Sequence, residues 1–330
     1  MTQSNLNAFK VKRYNQIDCL VWNAFVSNSK NATFLFNRDF MEYHQNRFDD
    51  YSLMVYKNEK LLALVPANKV GDSVFSHQGL SYGGILLSQK TKFETVVKLY
   101  YVVLRFLNEN AINTFELKLL PKIYNLLPSD EIEYLLFKTK ANLHRRDVSM
   151  VIDYACKQES SSNRKRNLKR SKLNKVSVKE VFEFDNFFNQ ILIPNLEQRY
   201  ETMPTHSLEE VVALKLKFPD HIRQFNAYQN NEIIAGVTIF ESSKVAHAQY
   251  ISTIASKNEL GGLDAIFDFL INKLYSSKHY FSFGISNENQ GQQVNRGLLN
   301  WKESFGAHAI THDFYTINTE NYRLLDDVML

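Results

Sequence analysis

Alternating and apolar residues in the second half of the chain predict a strand, strand, helix, strand unit. Residues 233–240 and 244–253 are rich in β-branched and aromatic side chains, and the polar residues 241–243 supply the turn of a hairpin. An apolar stripe at helical spacing occupies residues 263–274. Residues 280–284 then form a short apolar strand, and a helix between two such strands favours their parallel pairing.

A glycine pair, Gly261-Gly262, precedes the predicted helix, whose polar face carries Asp264 and Asp268. The first backbone N–H groups of a helix have no intrahelical partner, and glycine lets an anion approach them closely. The pair therefore predicts a phosphate or pyrophosphate site, although an ordinary loop-to-helix turn explains two glycines equally well.

The first half of the chain repeats this order of elements. Residues 55–64 predict a hairpin, and residues 74–78 predict a further strand that contains a histidine. Two glycines, an amphipathic helix near residues 93–107 and an apolar strand over 115–120 follow. We interpret the match as an internal duplication, with chance similarity of two β-rich halves as the alternative.

Helical segments precede the hairpin in each half. Apolar residues mark them near 22–26 and 40–48 in the first half and over 184–192 in the second. The capping-box pattern of residues 207–210 opens another helix, which should end before Pro219. A strand over residues 146–153 closes the first half, so we predict an N-terminal domain of residues 1–155 and a C-terminal domain of residues 156–330.

Composition identifies a globular chain. It has 330 residues, of which 44% are hydrophobic and 22% charged, and its formal charge of +4 is too small to argue for nucleic acid or membrane. Two cysteines, Cys19 and Cys156, provide no disulfide framework. We found neither a signal-peptide pattern nor an apolar run long enough to insert into a membrane, so we predict a cytoplasmic protein.

A run of cations occupies residues 163–175, at the predicted domain boundary. It lacks interleaved aromatic residues, so the stacking platform expected for single-stranded nucleic acid is missing. The run is either a solvated basic linker or an electropositive lip for a phosphorylated ligand.

The strand over residues 245–253 carries the main candidate chemistry. Its alternation places His247 and Gln249 on one face, so these polar groups either line a wet cleft or satisfy each other in the core. We predict no metal site, because His308 and His312 lie in a predicted strand where their spacing does not bring them together. Nucleophile-elbow, P-loop and dinucleotide fingerprints are absent from the sequence.

Several segments of the sequence resemble motifs of a known family. They are Ser76-His-Gln-Gly-Leu-Ser-Tyr-Gly-Gly84, Pro204-Thr-His-Ser-Leu-Glu-Glu210, His247-Ala-Gln-Tyr250, Leu263-Asp264, Phe281-Ser-Phe-Gly-Ile-Ser286 with Glu288, Asn295-Arg-Gly-Leu298 and Lys302-Glu-Ser-Phe-Gly306. With the order of elements, they resemble the tandem-GNAT, FemAB-like acyltransferases, and within these the sugar N-acyltransferases of bacterial surface-polysaccharide pathways. The resemblance covers residues 22–315.

The resemblance implies an α/β fold of two GNAT-like domains in tandem. Each domain has a mixed, mostly antiparallel sheet with a splayed parallel strand pair, flanked by helices, and the C-terminal domain carries the acyl-CoA site. The implied reaction moves an acetyl or short hydroxyacyl group, such as 3-hydroxybutanoyl, from acyl-CoA to the amine of a nucleotide-linked deoxyamino sugar. We expect a dTDP-linked sugar and a place in O-antigen, lipopolysaccharide or capsule biosynthesis.

The resemblance also implies roles for individual residues. A base must deprotonate the sugar ammonium, and the candidates, in order, are His247, Glu288 and His206. The candidates for binding acyl-CoA are Tyr250, Ile251, Ser252, Lys257, Gly261, Gly262 and Asn295. The candidates for binding the nucleotide or sugar are His77, Gln78, Tyr82, Arg164, Arg199 and Gln249.

The sequence departs from the family at two motifs. The usual pyrophosphate turn has Arg or Gln, two residues, Gly, one residue, then Gly or Ala, and residues 258–263 keep only the first glycine in register. In the family, a Tyr two residues before a Lys protonates the departing thiolate. Asn300 stands at that position before Lys302, so another acid, water or no acid takes this role. Two alternatives stay open: a FemAB-like ligase that uses aminoacyl-tRNA for peptidoglycan bridges, and a non-enzymatic binding module.

Overall fold

A computed structural model describes residues 6–329 of the chain. The α-helices in this range are α1 Cys19–Ser27, α2 Arg38–Met41, α3 Phe93–Glu109, α4 Glu131–Lys138, α5 Ser162–Leu173, α6 Asp185–Phe187, α7 Ile193–Tyr200, α8 Leu208–Lys217, α9 Gly262–Phe269 and α10 Arg296–Glu303. The π-helical segments Phe188–Leu192 and Leu270–Leu274 continue α6 and α9.

The strands alternate with these helices along the chain. They are β1 Phe9–Arg13, β2 Asp49–Asp50, β3 Leu53–Lys57, β4 Lys60–Val65, β5 Asn68–Val70, β6 Ser73–Phe75, β7 Leu86–Leu87, β8 Thr114–Lys118, β9 Asn142–Asp153, β10 Ser177–Val181, β11 Ile222–Gln229, β12 Glu232–Glu241, β13 Val245–Thr253, β14 Tyr280–Ile285, β15 Asn287–Glu288, β16 Gln293–Val294 and β17 His308–Asn318.

Internal contacts divide the described chain into two units. Unit 1 contains the residues up to Asp147 together with those from Thr311 onward, and unit 2 is Val148–Ile310. The predicted boundary at residues 155/156 therefore lies inside unit 2, and the last part of the predicted second domain belongs to unit 1. The assignment of the acyl-CoA site to residues 156–330 stays a prediction.

Unit 1 surrounds the long amphipathic helix α3. The antiparallel strands β1, β3, β4 and β7 form one sheet, in which β3 and β4 are the predicted hairpin. A second set of strands contains the antiparallel pair β5 and β6, and β6 runs parallel to β8. The buried face of α3, including Tyr100 and Leu104, packs in the apolar core with Phe115 of β8.

Unit 2 repeats this combination of antiparallel strands and one parallel pair. Strands β10 to β13 are antiparallel neighbours, β14 runs parallel to β13, and residues 149–153 of β9 pair with β14 on its other side. Helix α9 covers the sheet, and Phe267 packs with Phe225 and Phe281 in the core. The predicted hairpin, helix and strand of residues 233–284 are confirmed.

The cationic run is a helix, so its interpretation as a linker was wrong. The Ser161 side chain caps α5 by accepting a hydrogen bond from the Arg164 N–H over 3.4 Å. Lys, Arg and Leu favour helix strongly, and this preference determines the local structure despite the repulsion between cations. The polar-face prediction for Asp264 was also wrong, because this residue is 7% exposed.

His77 does not occupy the position in unit 1 that His247 occupies in unit 2. Strand β6 ends at Phe75, and His77 follows in a turn with a φ of 68°. Its ring stacks on His44 with centroids 5.3 Å apart. The prediction of a strand over residues 74–78 failed beyond β6 because the chain turns at Ser76, where the His77 N–H donates to the Phe75 carbonyl over 2.7 Å.

Candidate active site

The parallel strands of unit 2 separate after three paired residues. Val245, Ala246 and His247 pair with Tyr280, Phe281 and Ser282. In the described part of the chain, the pairing between β13 and β14 ends at His247, whereas β13 continues to Thr253 beside β12. The two strands thus form a fork, and His247 stands where it opens.

A bulge in β14 creates this separation. Ser282 pairs with Val151 and Ile285 pairs with Ser149, so β14 has one more residue than β9 between the two pairs. Gly284 lies in the bulge with a φ of 72°, a left-handed conformation that suits glycine. A Cβ at this position would lie 3.1 Å from Cε1 of His247, so the glycine also provides room for the imidazole ring.

His247 is held by a short polar network at the fork. Its Nδ1 atom lies 3.1 Å from Oγ of Ser282, which accepts a hydrogen bond from the Gly284 N–H over 3.2 Å. Burial, followed by the nearby charge of Lys302, lowers the pKa of His247 to about 4. The imidazole is therefore neutral at pH 7, and when Nδ1–H donates to Ser282, the lone pair of Nε2 can accept a proton.

Lys302 of α10 fixes the far side of the bulge. Its ammonium group donates to the carbonyl oxygens of Gly284, over 3.0 Å, and Ile285, over 2.6 Å. The residue is 2% exposed, and burial lowers its pKa to about 7. Lys302 is thus a buried amine that titrates near neutral pH, and its two hydrogen bonds tie α10 to the bulge of β14.

His206 and Tyr250 form a second polar pair beside β13. The Nδ1 atom of His206 lies 2.6 Å from the phenolic oxygen of Tyr250, which also accepts the His206 backbone N–H over 3.1 Å. Burial raises the pKa of Tyr250 to about 12, so its hydroxyl keeps its proton at neutral pH. Nearby, the Asn195 amide donates to Oγ of Ser252 and to the Thr253 carbonyl, each over 2.7 Å.

Gln249 and Ile251 occupy the intervening positions of β13, and both side chains are half-buried. Tyr250 pairs with Thr238, and Ala248 pairs with the next residue of β12, so Gln249 is the extra residue of a second bulge. A bulge at this point changes the direction of neighbouring side chains.

Glu288 and Asn295 lie together. The Asn295 side chain donates to Oε1 of Glu288 over 2.7 Å and caps α10 by accepting the Leu298 N–H over 2.9 Å. Glu288 belongs to the exposed two-stranded ribbon of β15 and β16. The structure thus assigns Asn295 a capping role and leaves Glu288 accessible to solvent.

The glycine pair begins α9, as predicted, but both glycines are buried against protein. A Cβ on Gly261 would lie 2.7 Å from the Asn167 carbonyl of α5, and one on Gly262 would lie 3.1 Å from the side chains of Ile234 and Ala235. Lys257, in the turn before α9, pairs with Glu232 over 2.5 Å. The glycines allow close packing of helices and strands here, and their pyrophosphate role stays a prediction.

The two arginines predicted to bind substrate have different surroundings. Arg164 of α5 donates to Asp264 over 2.9 Å and lies over the Phe305 ring. Arg199 is exposed in the last turn of α7. Only Arg199 is positioned on an open surface.

The corresponding strand pair in unit 1 is filled by the chain itself. Beyond the parallel pairing of β6 and β8, the Lys118 N–H donates to Oγ of Ser76 over 2.8 Å, and its carbonyl accepts the Gly83 N–H over 2.9 Å. A Cβ on Gly83 would lie 1.8 Å from the Ser76 carbonyl oxygen. Residues 76–83 therefore occupy the space where a ligand would enter an open fork.

The three residues of this loop that were predicted to contact a ligand differ in their exposure. Gln78 is exposed, although Asn68 binds its side-chain and backbone groups, each over 2.8 Å. Tyr82 is buried, and its hydroxyl lies 2.9 Å from Oγ1 of Thr33. His77 is 3% exposed, and burial lowers its pKa to about 3.

Sequence reasoning missed three polar groups beside the strands. Ser282 could have been found, because a serine in an apolar strand opposite a histidine is unusual. Lys302 gave a weaker signal, because α10 also contains the cation Arg296 and Glu303 adjoins Lys302 in sequence, and Asn195 gave none. In the described range, no group of three His, Cys, Asp or Glu side chains can hold a metal ion. None of the described helices combines the length and apolarity that a membrane crossing needs.

The chain was compared with known proteins. It matches no protein-family model and no curated protein. It is similar to the solved structure of FemX, with a TM-score of 0.65 and 9% identity over 96% of this chain and 99% of FemX. It is also similar to L-PGS from Bacillus licheniformis, with a TM-score of 0.56 and 10% identity over 95% of this chain and 96% of that protein.

A conserved protein of unknown function from Bacteroides thetaiotaomicron is a further structural match. Its TM-score is 0.54, with 9% identity over 93% of this chain and 98% of that protein. Identities this low establish the fold alone. The chain shares the α/β fold of these structures, and each of its two units combines antiparallel strands with one parallel strand pair and helices, as the resemblance implied.

Proposed function

We propose that this chain is an N-acyltransferase that moves a short acyl group from acyl-CoA to the amine of a nucleotide-linked deoxyamino sugar. The fork at His247 carries the proposal, because an open strand edge presents backbone groups to a bound thioester. The filled strand pair of unit 1 supports a single donor site, in unit 2.

The proposed reaction is a direct attack of the amine on the thioester. The sugar ammonium first loses a proton to solvent, and the neutral amine attacks the thioester carbon. The new C–N bond makes the nitrogen acidic, and the neutral imidazole of His247 accepts its second proton. Backbone N–H groups of β13 between Tyr250 and Ser252 stabilise the oxyanion, and the C–S bond then breaks to release the thiolate. The pKa of about 4 leaves His247 neutral at pH 7, and the imidazolium passes its proton through water to the departing thiolate.

Exposed side chains are the candidates for binding the acceptor, the nucleotide-linked amino sugar. Arg199 is the candidate for the nucleotide diphosphate, because a guanidinium binds phosphate oxygens through two parallel hydrogen bonds. Gln78 is the candidate for sugar or base contact within unit 1. Glu288 remains the second candidate base, since its carboxylate is exposed.

A second candidate donor is aminoacyl-tRNA. Two observations favour it: α5 carries many exposed cations, and α5 covers the glycine turn where the pyrophosphate of CoA would bind. A non-enzymatic binding module is the remaining alternative.

The test is a product-mass assay with purified, RNA-free protein. Acyl-CoAs and nucleotide-linked amino sugars are combined in a panel, and acceptors are offered separately with aminoacyl-tRNA. Acylated sugar without RNA supports the first proposal, and product with aminoacyl-tRNA only supports the second. If neither donor yields product and calorimetry with acyl-CoA shows no heat, the enzyme proposal fails.

A charge variant sharpens the distinction between donors. Replacing the exposed Lys165, Arg166, Lys169 and Arg170 by Gln leaves Arg164 in place. A tRNA-dependent reaction should weaken and lose part of its salt dependence, because fewer phosphates are neutralised. An acyl-CoA reaction at the fork should keep its rate.

A further inference from the structure

Three aromatic side chains are exposed on one surface of unit 1. Phe93 is the first residue of α3 and Tyr134 belongs to α4, and their rings meet edge to face with centroids 5.5 Å apart. Phe137 lies one turn after Tyr134 on the same face of α4, and it is 77% exposed. We call Phe93, Tyr134 and Phe137 the aromatic surface.

The core of unit 1 does not use this face of α4. Ile132, Leu135 and Leu136 are the residues of α4 that are buried in the core. A surface helix normally carries polar side chains on its outer face, whereas α4 presents two aromatic rings there. Exposed apolar groups that cluster in this way mark a contact surface.

Unpaired lysines border the aromatic surface. The acidic residues of the adjoining segments 89–94 and 130–140 all lie in ion pairs, which are Glu94 with Lys98, Glu131 with Lys30, and Asp130 and Glu133 with Lys122. Four lysines of the same segments form no ion pair within the described chain, namely Lys90, Lys92, Lys138 and Lys140. The surface is therefore apolar at its centre and positively charged around it.

This combination favours a lipid bilayer over a protein partner. Protein interfaces are depleted of lysine. A second copy of the chain, placed on the same surface by a two-fold axis, would bring the lysines of both copies together. An anionic bilayer instead accepts aromatic rings at the level of its headgroups, and lysine side chains reach its phosphates.

We propose that the aromatic surface docks on an anionic lipid bilayer. The Phe137 ring enters the boundary between headgroups and acyl chains, and the Tyr134 hydroxyl stays among the headgroups. The bordering lysines bind lipid phosphates. The contact involves one leaflet only, and it is independent of the reaction proposed for the fork.

The test is co-sedimentation of the full chain with lipid vesicles. One set of vesicles contains phosphatidylcholine alone, and the other contains phosphatidylcholine and phosphatidylglycerol in equal amounts. The chain should bind the anionic vesicles at least about tenfold more tightly, and added salt should weaken that binding. No binding to the anionic vesicles, or equal binding to both sets, would overturn the proposal.

A variant of Phe137 tests the aromatic contribution. Phe137→Ser should lower the partition coefficient for anionic vesicles about tenfold, while the Tm stays near that of the wild type because the ring is exposed. Leu20→Ser is the control, since Leu20 of α1 is 83% exposed and does not belong to the aromatic surface. It should bind vesicles as the wild type does. Equal losses in the two variants would contradict the assignment of the surface.

Paired lysine variants test the charge. Lys90→Gln combined with Lys140→Gln should weaken binding to anionic vesicles at least about tenfold. Lys179→Gln combined with Lys273→Gln removes the same charge from exposed positions of unit 2 and should have a smaller effect. Equal effects would reduce the binding to a general attraction of a basic chain and overturn the proposal.

Size-exclusion chromatography without vesicles tests the competing occupant, a second copy of the chain. The wild type and Phe137→Ser should elute at the same volume. A wild-type dimer that Phe137→Ser converts into a monomer would assign the surface to protein association and exclude the lipid proposal.

Discussion

The Nδ1 atom of His206 lies 2.6 Å from the phenolic oxygen of Tyr250, and the same oxygen accepts the His206 backbone N–H over 3.1 Å. Both side chains are buried, so the pair links the start of helix α8 to strand β13 inside the protein. Beyond His247, strand β13 does not pair with β14 in the described chain, and the contact between Tyr250 and His206 restrains this part of β13.

Removing this hydroxyl should destabilise unit 2. In Tyr250→Phe, the His206 imidazole and backbone N–H both lose the hydrogen bond to this oxygen, and the expected cost is about 2 kcal/mol in the free energy of unfolding. Urea denaturation monitored by fluorescence measures it. Tyr228→Phe is the control, because that hydroxyl is bound at 3.2 Å by one Asn226 amide in a half-buried place. Equal costs in the two variants would contradict a special role for the pair.

Lys302→Met should destabilise the fork and weaken donor binding. Methionine is unbranched like lysine but one atom shorter, and it donates no hydrogen bond. The carbonyls of Gly284 and Ile285 then lack their donor, so we expect a net loss of about 2 kcal/mol.

Lys278 provides the matched control for this variant. It also donates to two carbonyls, those of Ser242 and Ser243, in the turn between β12 and β13, and it pairs with Glu241 over 2.8 Å. Lys278→Met should change stability less and leave the KM for the donor unaltered. A Lys302→Met enzyme with a normal donor KM would show that the bulge does not need this cation.

Local patterns predicted most of the fold, because hairpins and the amphipathic helix α9 depend on residues close in sequence. The side-chain contacts at the fork could not be predicted from local patterns. His247 could be singled out on β13, but its partner Ser282 lies 35 residues away. Lys302 could not be assigned from sequence, since its hydrogen bonds depend on how α10 packs. The conformation of His77, with its positive φ, is likewise set by the contacts of its loop.

His247→Ala should lower the turnover number by about 10²-fold to 10⁴-fold if this imidazole accepts the amine proton. The product-mass assay at saturating substrates measures it, and His279→Ala is the control because His279 lies before β14, outside the fork. Normal turnover would remove His247 as the base. Glu288→Gln tested in parallel would then decide whether the second candidate takes that role.

Gly83→Ala should destabilise unit 1. The new methyl group would lie 1.8 Å from the Ser76 carbonyl oxygen, so residues 76–83 would have to move out of the space between β6 and β8. We expect a loss of about 3 kcal/mol, measured by urea denaturation. Gly297→Ala, in an exposed turn of α10, should instead be neutral or stabilising by up to about 1 kcal/mol. A harmless Gly83→Ala would mean that the loop is not fixed by this contact.

Three histidines with lowered pKa values should make the protein less stable at acidic pH. Burial lowers the pKa of His77 to about 3 and that of His247 and His312 to about 4. In the unfolded chain their pKa is about 6.5, so between pH 6.5 and 4 the unfolded state binds more protons. The free energy of unfolding then falls as pH falls through this window, by up to about 1.4 kcal/mol per pH unit for each histidine.

Histidine variants separate this effect from the titration of carboxylates. Urea denaturation between about pH 4.5 and 7.5 gives the slope of the free energy of unfolding against pH. This range covers most of the interval between the folded and unfolded pKa values. His312→Gln should reduce the slope by up to one proton, because glutamine stays neutral throughout. His308→Gln, at an exposed position of the same strand, should leave the slope nearly as it is in the wild type. If His312→Gln and the wild type have the same slope, the buried imidazole is not the source of the acid sensitivity.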